Sequence, residues 1–129
     1  MGLDMFARRV GASAVGEAQV DFEIADAAAP HDNLHYWRKH PNLHGWMQKL
    51  YVEKGGNPDP DYFNCVNLRL TAEDLALLEG DIKTNALPST SGFFFGQTDG
   101  SEFQDDLAFI AKARAAIAEG DVVFYTSWW

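Results

Sequence analysis

The stretch LHGWMQKLY, residues 43–51, carries the clearest helical pattern in the chain. Its apolar residues recur at the spacing that places them along one helix face, about 100° wide. These residues are Leu43, Trp46, Met47, Leu50 and Tyr51. Pro41 disfavours helix at His40, and Gly55 and Gly56 end the pattern. We therefore predict a helix whose apolar face lies in the core.

Two further helices are predicted downstream. Thr71 caps the first, at about residues 72–84, whose apolar line is formed by Leu75, Leu78 and Ile82. The second covers about residues 102–119 and begins with an acidic first turn, which the helix dipole favours. Its apolar side is formed by Phe103, Leu107, Ile110 and Ile117.

Strands are predicted where apolar and polar residues alternate, at residues 20–24 and 63–70. Residues 122–129 are predicted as the final strand, which ends on two tryptophans. The apolar run at residues 93–95 predicts a central strand. Short helices are predicted at residues 4–10 and 34–39. With about four strands and three main helices, we predict a single domain over residues 1–129, an α+β or small α/β two-layer sandwich.

Composition excludes several classes of partner. The 129 residues carry a formal charge of −9, which opposes binding to nucleic acid or to an anionic membrane. Cys65 is the only cysteine, so no internal disulfide forms. The N-terminal residues have no apolar run of the kind that targets or anchors a protein. We expect a cytoplasmic protein with neither nucleic acid nor membrane as partner; the oligomeric state stays open.

One stretch is basic although the chain is acidic. Between residues 33 and 54 there are four basic residues and one acidic residue, a local charge of +3. Trp37 and Trp46 could stack on a planar ligand, and Arg38 could bind its anionic group. A histidine changes its charge near pH 6.5 when its pKa is the ordinary one, so His44 could add a positive charge below that pH. These four residues form a candidate pocket for a small anionic or nucleotide-like ligand. The alternative is that the tryptophans are core residues and Arg38 is solvated.

A second candidate surface is the reverse face of the sheet. Arg69 alternates with Leu68 and Leu70 and so points away from the apolar face, where it could bind an anion. Tyr125 on the last strand could add an aromatic group. If helices cover only one side of the sheet, this surface is exposed. If they cover both sides, Arg69 needs a carboxylate partner.

Histidine spacing allows a metal hypothesis, which we do not favour. His31 with His35, and His40 with His44, are four residues apart, the spacing at which two imidazoles share a helix face. However, His31 follows Pro30 in a predicted loop, and His40 precedes Pro41. Neither pair is therefore expected to lie within one continuous helix. The sequence also lacks a phosphate-binding loop, a nucleophile elbow and a dinucleotide-binding turn. We therefore assign no metal ligand, no cofactor and no catalytic residue.

Several segments resemble a family of small uncharacterised proteins from bacteriophages, prophages and bacteria. They are YWRK (36–39), LHGWM (43–47), FNCV (63–66), GFFFG (92–96), DLAFIAKA (106–113) and SWW (127–129). Members are sometimes labelled phosphoglycerate kinase, a label we reject because that enzyme needs two large domains. The resemblance spans about residues 34–129 and implies a phage-associated cytoplasmic protein, with no particular reaction.

Two classes of function follow from the sequence. The first is a non-enzymatic binding module for a small anionic or nucleotide-like ligand, or for a host protein that the acidic residues between 99 and 106 would occupy. The candidate ligand-binding residues are Trp37, Arg38, His44, Trp46, Arg69 and Tyr125. The alternative is a small hydrolase, with or without the assistance of a metal ion, that uses His44 or His40 as its base.

Overall fold

The computed structural model of the chain describes residues 2–24, 31–88, 90, 100 and 102–129. Within them lie one four-stranded antiparallel sheet and three α-helices, which confirms the predicted α+β class. The strands are β1 (Asp4–Gly11), β2 (His31–Arg38), β3 (Leu68–Leu70) and β4 (Asp121–Trp128). The helices are α1 (Pro41–Glu53), α2 (Ala72–Lys83) and α3 (Phe103–Ala118). No helix of this part of the chain is long and apolar enough to cross a membrane.

The strand order is β2-β1-β4-β3, and every neighbouring pair is antiparallel. Strand β1 is central and pairs along its length with both β2 and β4. Its register with β2 shifts after Ala7, which pairs with His35, because Arg8 pairs with Asn33. Leu34 is therefore the extra residue of a β-bulge.

The main core lies between one face of the sheet and the three helices. Strand β1 contributes Met5 and Ala7, both with no exposed surface, and β4 contributes Val123 and Tyr125. The predicted apolar faces of α1 and α2 pack into the same cluster, and these helix predictions are confirmed. On α3 the buried face is formed by Asp106, Phe109, Ile110, Ala113 and Ala116, whereas Phe103 is 39% exposed, contrary to prediction.

A smaller cluster lies on the opposite face of the sheet. Val10, Val122 and Phe124 point to this side, and Phe22 packs edge-on against Phe124 with ring centroids 5.7 Å apart. The segment after β1, residues 12–24, thus covers one end of the face. No helix of the three packs there, so the other end is covered by no element of the described chain.

The two short helices predicted near the N-terminal half are wrong, because residues 4–10 and 34–39 belong mainly to β1 and β2. In β1, Met5 and Ala7 are buried while Phe6 and Arg8 are half-buried, which is a period of two. Residues with good helix propensity form a strand here because β1 hydrogen-bonds to a neighbour on each side.

Two predicted strands are shorter than expected. Residues 20–24 make a single bridge, between Val20 and Leu68, and strand β3 is limited to Leu68–Leu70. Cys65 has a φ of 61°, a left-handed conformation that no strand accommodates, and this ends the extended chain before β3. The strand predicted at residues 93–95 lies outside the described residues. The last predicted strand is confirmed as β4.

Lys54, which follows α1, ties three segments together. Its Nζ donates to Asp74 Oδ2 (2.5 Å), to the Arg69 carbonyl (2.7 Å) and to Gln19 Oε1 (2.9 Å). The same Asp74 oxygen accepts the Thr71 amide in a capping box that begins α2.

The substitution Lys54→Met is expected to lower the free energy of unfolding by about 1–2 kcal/mol, because a largely buried carboxylate loses its cation. Urea denaturation at pH 7 measures this. The matched control is Lys83→Met. The Lys83 side chain is 58% exposed, and its Nζ lies 3.9 Å from Glu79 Oε2. That variant should change stability by less than about 0.5 kcal/mol. Equal losses in the two variants would contradict the structural role of Lys54.

Candidate functional site

The six residues proposed from the sequence to bind a ligand do not meet in one place in the described structure. Four are buried in the main core: Trp37 (5% exposed), His44 (3%), Trp46 (8%) and Tyr125 (0%). Arg38 and Arg69 lie on the opposite side of the sheet, as their pairing with Asp4 and Phe124 shows. Tyr125 and Arg69, expected to share a surface, are thus on different faces.

Trp37 and His40 are held by a buried carboxylate, that of Asp106 in the first turn of α3. Trp37 Nε1 donates to Asp106 Oδ1 at 2.9 Å, and His40 Nε2 lies 2.8 Å from Oδ2. Asp106 is 2% exposed and so is His40. The contacts join the end of β2 to α3. Sequence reasoning assigned Asp106 to a solvated acidic turn, although its spacing from Phe109, Ile110 and Ala113 places it on the buried face.

His44 and Tyr125 form a second buried pair. His44 Nδ1 lies 2.6 Å from the Tyr125 hydroxyl, and the Phe63 and Trp129 rings pack against the imidazole with centroids 5.0 and 4.9 Å away. Burial lowers the pKa of His44 to about 3 and raises the pKa of Tyr125 well above its usual value. His44 is therefore neutral at pH 7 and only weakly basic, which does not suit a general base.

Trp46 connects α1 to α2 through its indole, whose Nε1 donates to Asp81 Oδ2 at 2.8 Å. One edge of the indole lines a shallow cleft of ≈ 220 Å³ together with Lys49, Leu77 and Asp81. With most of its ring buried, Trp46 offers no flat surface for stacking.

Arg69 is covered by the segment that follows β1. Its Nη1 donates to the carbonyl oxygen of Gly16 at 3.0 Å. Among the described residues, the partner found for Arg69 is therefore a backbone carbonyl and not the carboxylate that was expected if helices covered both sides of the sheet. This contact leaves Arg69 at the covered end of the reverse face.

The other end of the reverse face of the sheet, which no described element covers, carries a group of aromatic and charged side chains that we call the open face. It consists of Asp4, Phe6, Arg8, Tyr36, Arg38 and Trp128. Paired residues of neighbouring strands point to the same side of a sheet. Asp4 lies between Arg38 and Trp128, and Phe6 lies between Tyr36 and Thr126. Tyr36 is 47% exposed and Trp128 is 63% exposed.

Contacts within the open face fix the side chains of Phe6 and Tyr36. The Tyr36 hydroxyl donates to Asp4 Oδ1 at 2.6 Å, which raises the Tyr36 pKa, and its ring lies 5.2 Å from that of Phe6. The Arg8 guanidinium stands 4.7 Å from the centroid of Phe6, and Arg8 Nε donates to Asn33 Oδ1 at 2.7 Å. Arg38 is 57% exposed, with Nε 3.8 Å from Asp4 Oδ1. Rings held in this way can stack on a planar ligand beside two guanidinium groups.

Of the residues of the open face, sequence reasoning proposed only Arg38 as a site residue. Phe6 and Arg8 were missed because residues 4–10 were predicted as a helix. Tyr36 and Trp128 alternate with the buried Trp37 and Ser127, a period-two signal that could have identified them.

A second cleft, of ≈ 290 Å³, lies beside the His40 and Asp106 pair and is also lined by Lys83, Asn85 and Glu102. The His40 and His44 pair considered for metal binding is split in the structure, because His40 contacts Asp106 and His44 contacts Tyr125. Across residues 2–24, 31–88, 90, 100 and 102–129, no three His, Cys, Asp or Glu side chains are grouped as metal ligands would be.

Comparison of the chain with protein-family models, with curated proteins and with solved structures gives no match.

Proposed function

We propose that this protein is a binding module for a small nucleotide-like anion and that the ligand lies on the open face. One observation carries the proposal: two exposed aromatic rings, Tyr36 and Trp128, share one face of the sheet with Arg8 and Arg38, at the end that no described element covers. Stacking of a base on an aromatic side chain contributes about 1–3 kcal/mol. Arginine adds a planar set of donors that matches phosphate geometry. Membership in a phage-associated family stays a prediction.

Charge favours a small ligand over a polymer. The chain as a whole carries −9, so an extended polyanion is repelled along most of its length. The open face differs locally, with two arginines and one aspartate. A single phosphorylated molecule that touches only this surface would therefore be attracted.

The scaffold under the open face suits a binding site because strand pairing and side-chain contacts orient its groups before a ligand arrives. Phe6 and Asp4 belong to the central strand, which is paired on both sides. Tyr36 is already oriented by its hydrogen bond to Asp4 and by the Phe6 ring. Groups that are ordered before binding lose less conformational entropy when the ligand arrives.

The first test is a calorimetric titration of the full chain with AMP. We expect binding that Tyr36→Ala and Arg38→Ala each weaken about 10-fold, from loss of stacking and of a charge-assisted hydrogen bond. Tyr62→Ala is the matched control, because Tyr62 is 60% exposed but lies on the turn Pro60–Tyr62, outside the open face. Binding that is absent in the wild type, or unaffected by both substitutions, would refute the proposal.

A hydrolase that uses His40 as its base is the second candidate. The observation that favours it is the contact of His40 with Asp106 beside the ≈ 290 Å³ cleft, since a carboxylate orients a histidine in many hydrolytic sites. Turnover of a pooled set of phosphoesters, abolished by His40→Gln in a variant that remains folded, is the expected result for this function. A wild-type protein without turnover would exclude it for these substrates.

A further inference from the structure

The open face carries two separate aromatic platforms. One is the contacting pair of Phe6 and Tyr36 on β1 and β2, and the other is Trp128 on β4. Resting on the proposed function, we propose that the ligand is a dinucleotide with one base on each platform. A mononucleotide would use only one of them.

The spacing of the platforms follows from the strand register. Trp128 pairs with Asp4, and Tyr36 pairs with Phe6, two residues further along β1. Strands β2 and β4 flank β1, so their backbones are about 10 Å apart, and two residues along a strand add about 7 Å. The Cα atoms of Tyr36 and Trp128 are therefore separated by about 12 Å by this geometry. One base does not cover both rings, whereas two bases joined by a phosphodiester can.

The charge of the open face matches a single phosphodiester. Arg8 and Arg38 contribute two positive charges and Asp4 one negative charge. The remaining charge of one is neutralised by a dinucleoside monophosphate, whereas AMP brings a phosphate monoester of nearly two negative charges at pH 7. Asp4 lies between the platforms, so additional phosphates in this position would be repelled.

The covered end of the same face limits the length of the ligand. On this side of the sheet, Phe124 is the β4 partner of Arg8, and Val10 follows Arg8 along β1. Both are buried beneath the segment that contains Phe22. Arg69 is covered there as well, by its contact with Gly16. Among the residues that the structure describes, a third base would find no exposed aromatic platform in this direction.

The test compares AMP, the dinucleoside monophosphate ApA and the trinucleotide ApApA by calorimetric titration of the full chain. We expect ApA to bind about 10-fold more tightly than AMP, because a second base stacks. ApApA should bind no more than about twofold more tightly than ApA, the factor that two overlapping positions allow. Trp128→Ala should reduce ApA binding about 10-fold, to the level of AMP, whereas AMP, which can still stack on the Phe6 and Tyr36 platform, should lose no more than about twofold.

The matched control is Leu77→Ala, since Leu77 is 65% exposed on α2 and should leave all three affinities unchanged. If AMP binds and ApA binds equally well, the dinucleotide inference is wrong and the proposed function stands. If neither ligand binds, both fail. Self-association in a sedimentation experiment that is lost in Trp128→Ala would also overturn the inference, because a second copy would then cover the platform.

Discussion

Replacing Asp106 with alanine is expected to lower the free energy of unfolding by about 3–5 kcal/mol, the cost of removing one partner from a buried charged network. The carboxylate accepts hydrogen bonds from both Trp37 Nε1 and His40 Nε2. Without it, two donors remain in a region where Trp37 is 5% and His40 is 2% exposed. Each buried donor left without an acceptor costs about 1–3 kcal/mol, and the missing side chain leaves a cavity as well.

Two further variants separate the network from the general effect of an acidic residue in a first helical turn. Asp106→Asn keeps an oxygen that can accept from Trp37, so we expect a loss of only about 1–2 kcal/mol. Asp105→Ala removes the exposed neighbour and should cost less than about 1 kcal/mol, the usual contribution of the helix dipole. Urea denaturation at pH 7 gives all three values. Similar losses in Asp105→Ala and Asp106→Ala would show that the network is unimportant.

Strand β2 links this network to the open face. Trp37 points into the core toward Asp106, while Tyr36 and Arg38 on either side of it point to the open face. Because side chains alternate along a strand, the core contact of Trp37 fixes the outward positions of its neighbours. Stability and the proposed ligand binding therefore depend on successive residues of the same strand, and mutation can separate the two.

The helices were predictable because their signals are local. The apolar spacing of residues 43–51 and the cap at Thr71 need no information from elsewhere in the chain. Strands β1 and β2 were not predictable in this way. Strand β1 is stabilised by partners more than thirty residues away, such as Arg38 and Trp128 opposite Asp4, and its Met, Ala and Arg residues favour a helix when considered alone.

The same error displaced the candidate site. The basic and aromatic stretch contains Arg38, which also belongs to the open face. Whether a segment is a helix or a strand, however, decides which side chains share a surface. As a strand, the segment turns Trp37 inward and Tyr36 outward. Phe6 and Trp128 lie far from it in sequence, and only the strand order brings them together.

Acid is expected to destabilise the fold through His44. Burial holds the pKa of this imidazole at about 3 in the folded protein, against an ordinary value of 6.5. Between these values the unfolded chain binds a proton that the folded protein does not, so the free energy of unfolding decreases as the pH falls. The limiting slope is about 1.4 kcal/mol per pH unit, and the loss from pH 7 to pH 4.5 is about 2–3 kcal/mol. Above pH 6.5 this contribution is complete.

The measurement is urea denaturation at pH 7, 5.5 and 4.5, and the decisive variant is His44→Gln. Glutamine can still hydrogen-bond to the Tyr125 hydroxyl but has no proton to bind in this range, so the variant should lose less stability on acidification than the wild type. His35 is the matched control, because burial also lowers its pKa and it acts in the same direction. His35→Gln should retain most of the acid-induced loss, since His44 is the more deeply buried of the two. The three proteins have the same carboxylates, so the differences between them report on the histidines. Equal acid-induced losses of unfolding free energy in the wild type and in His44→Gln would show that His44 is not the group responsible.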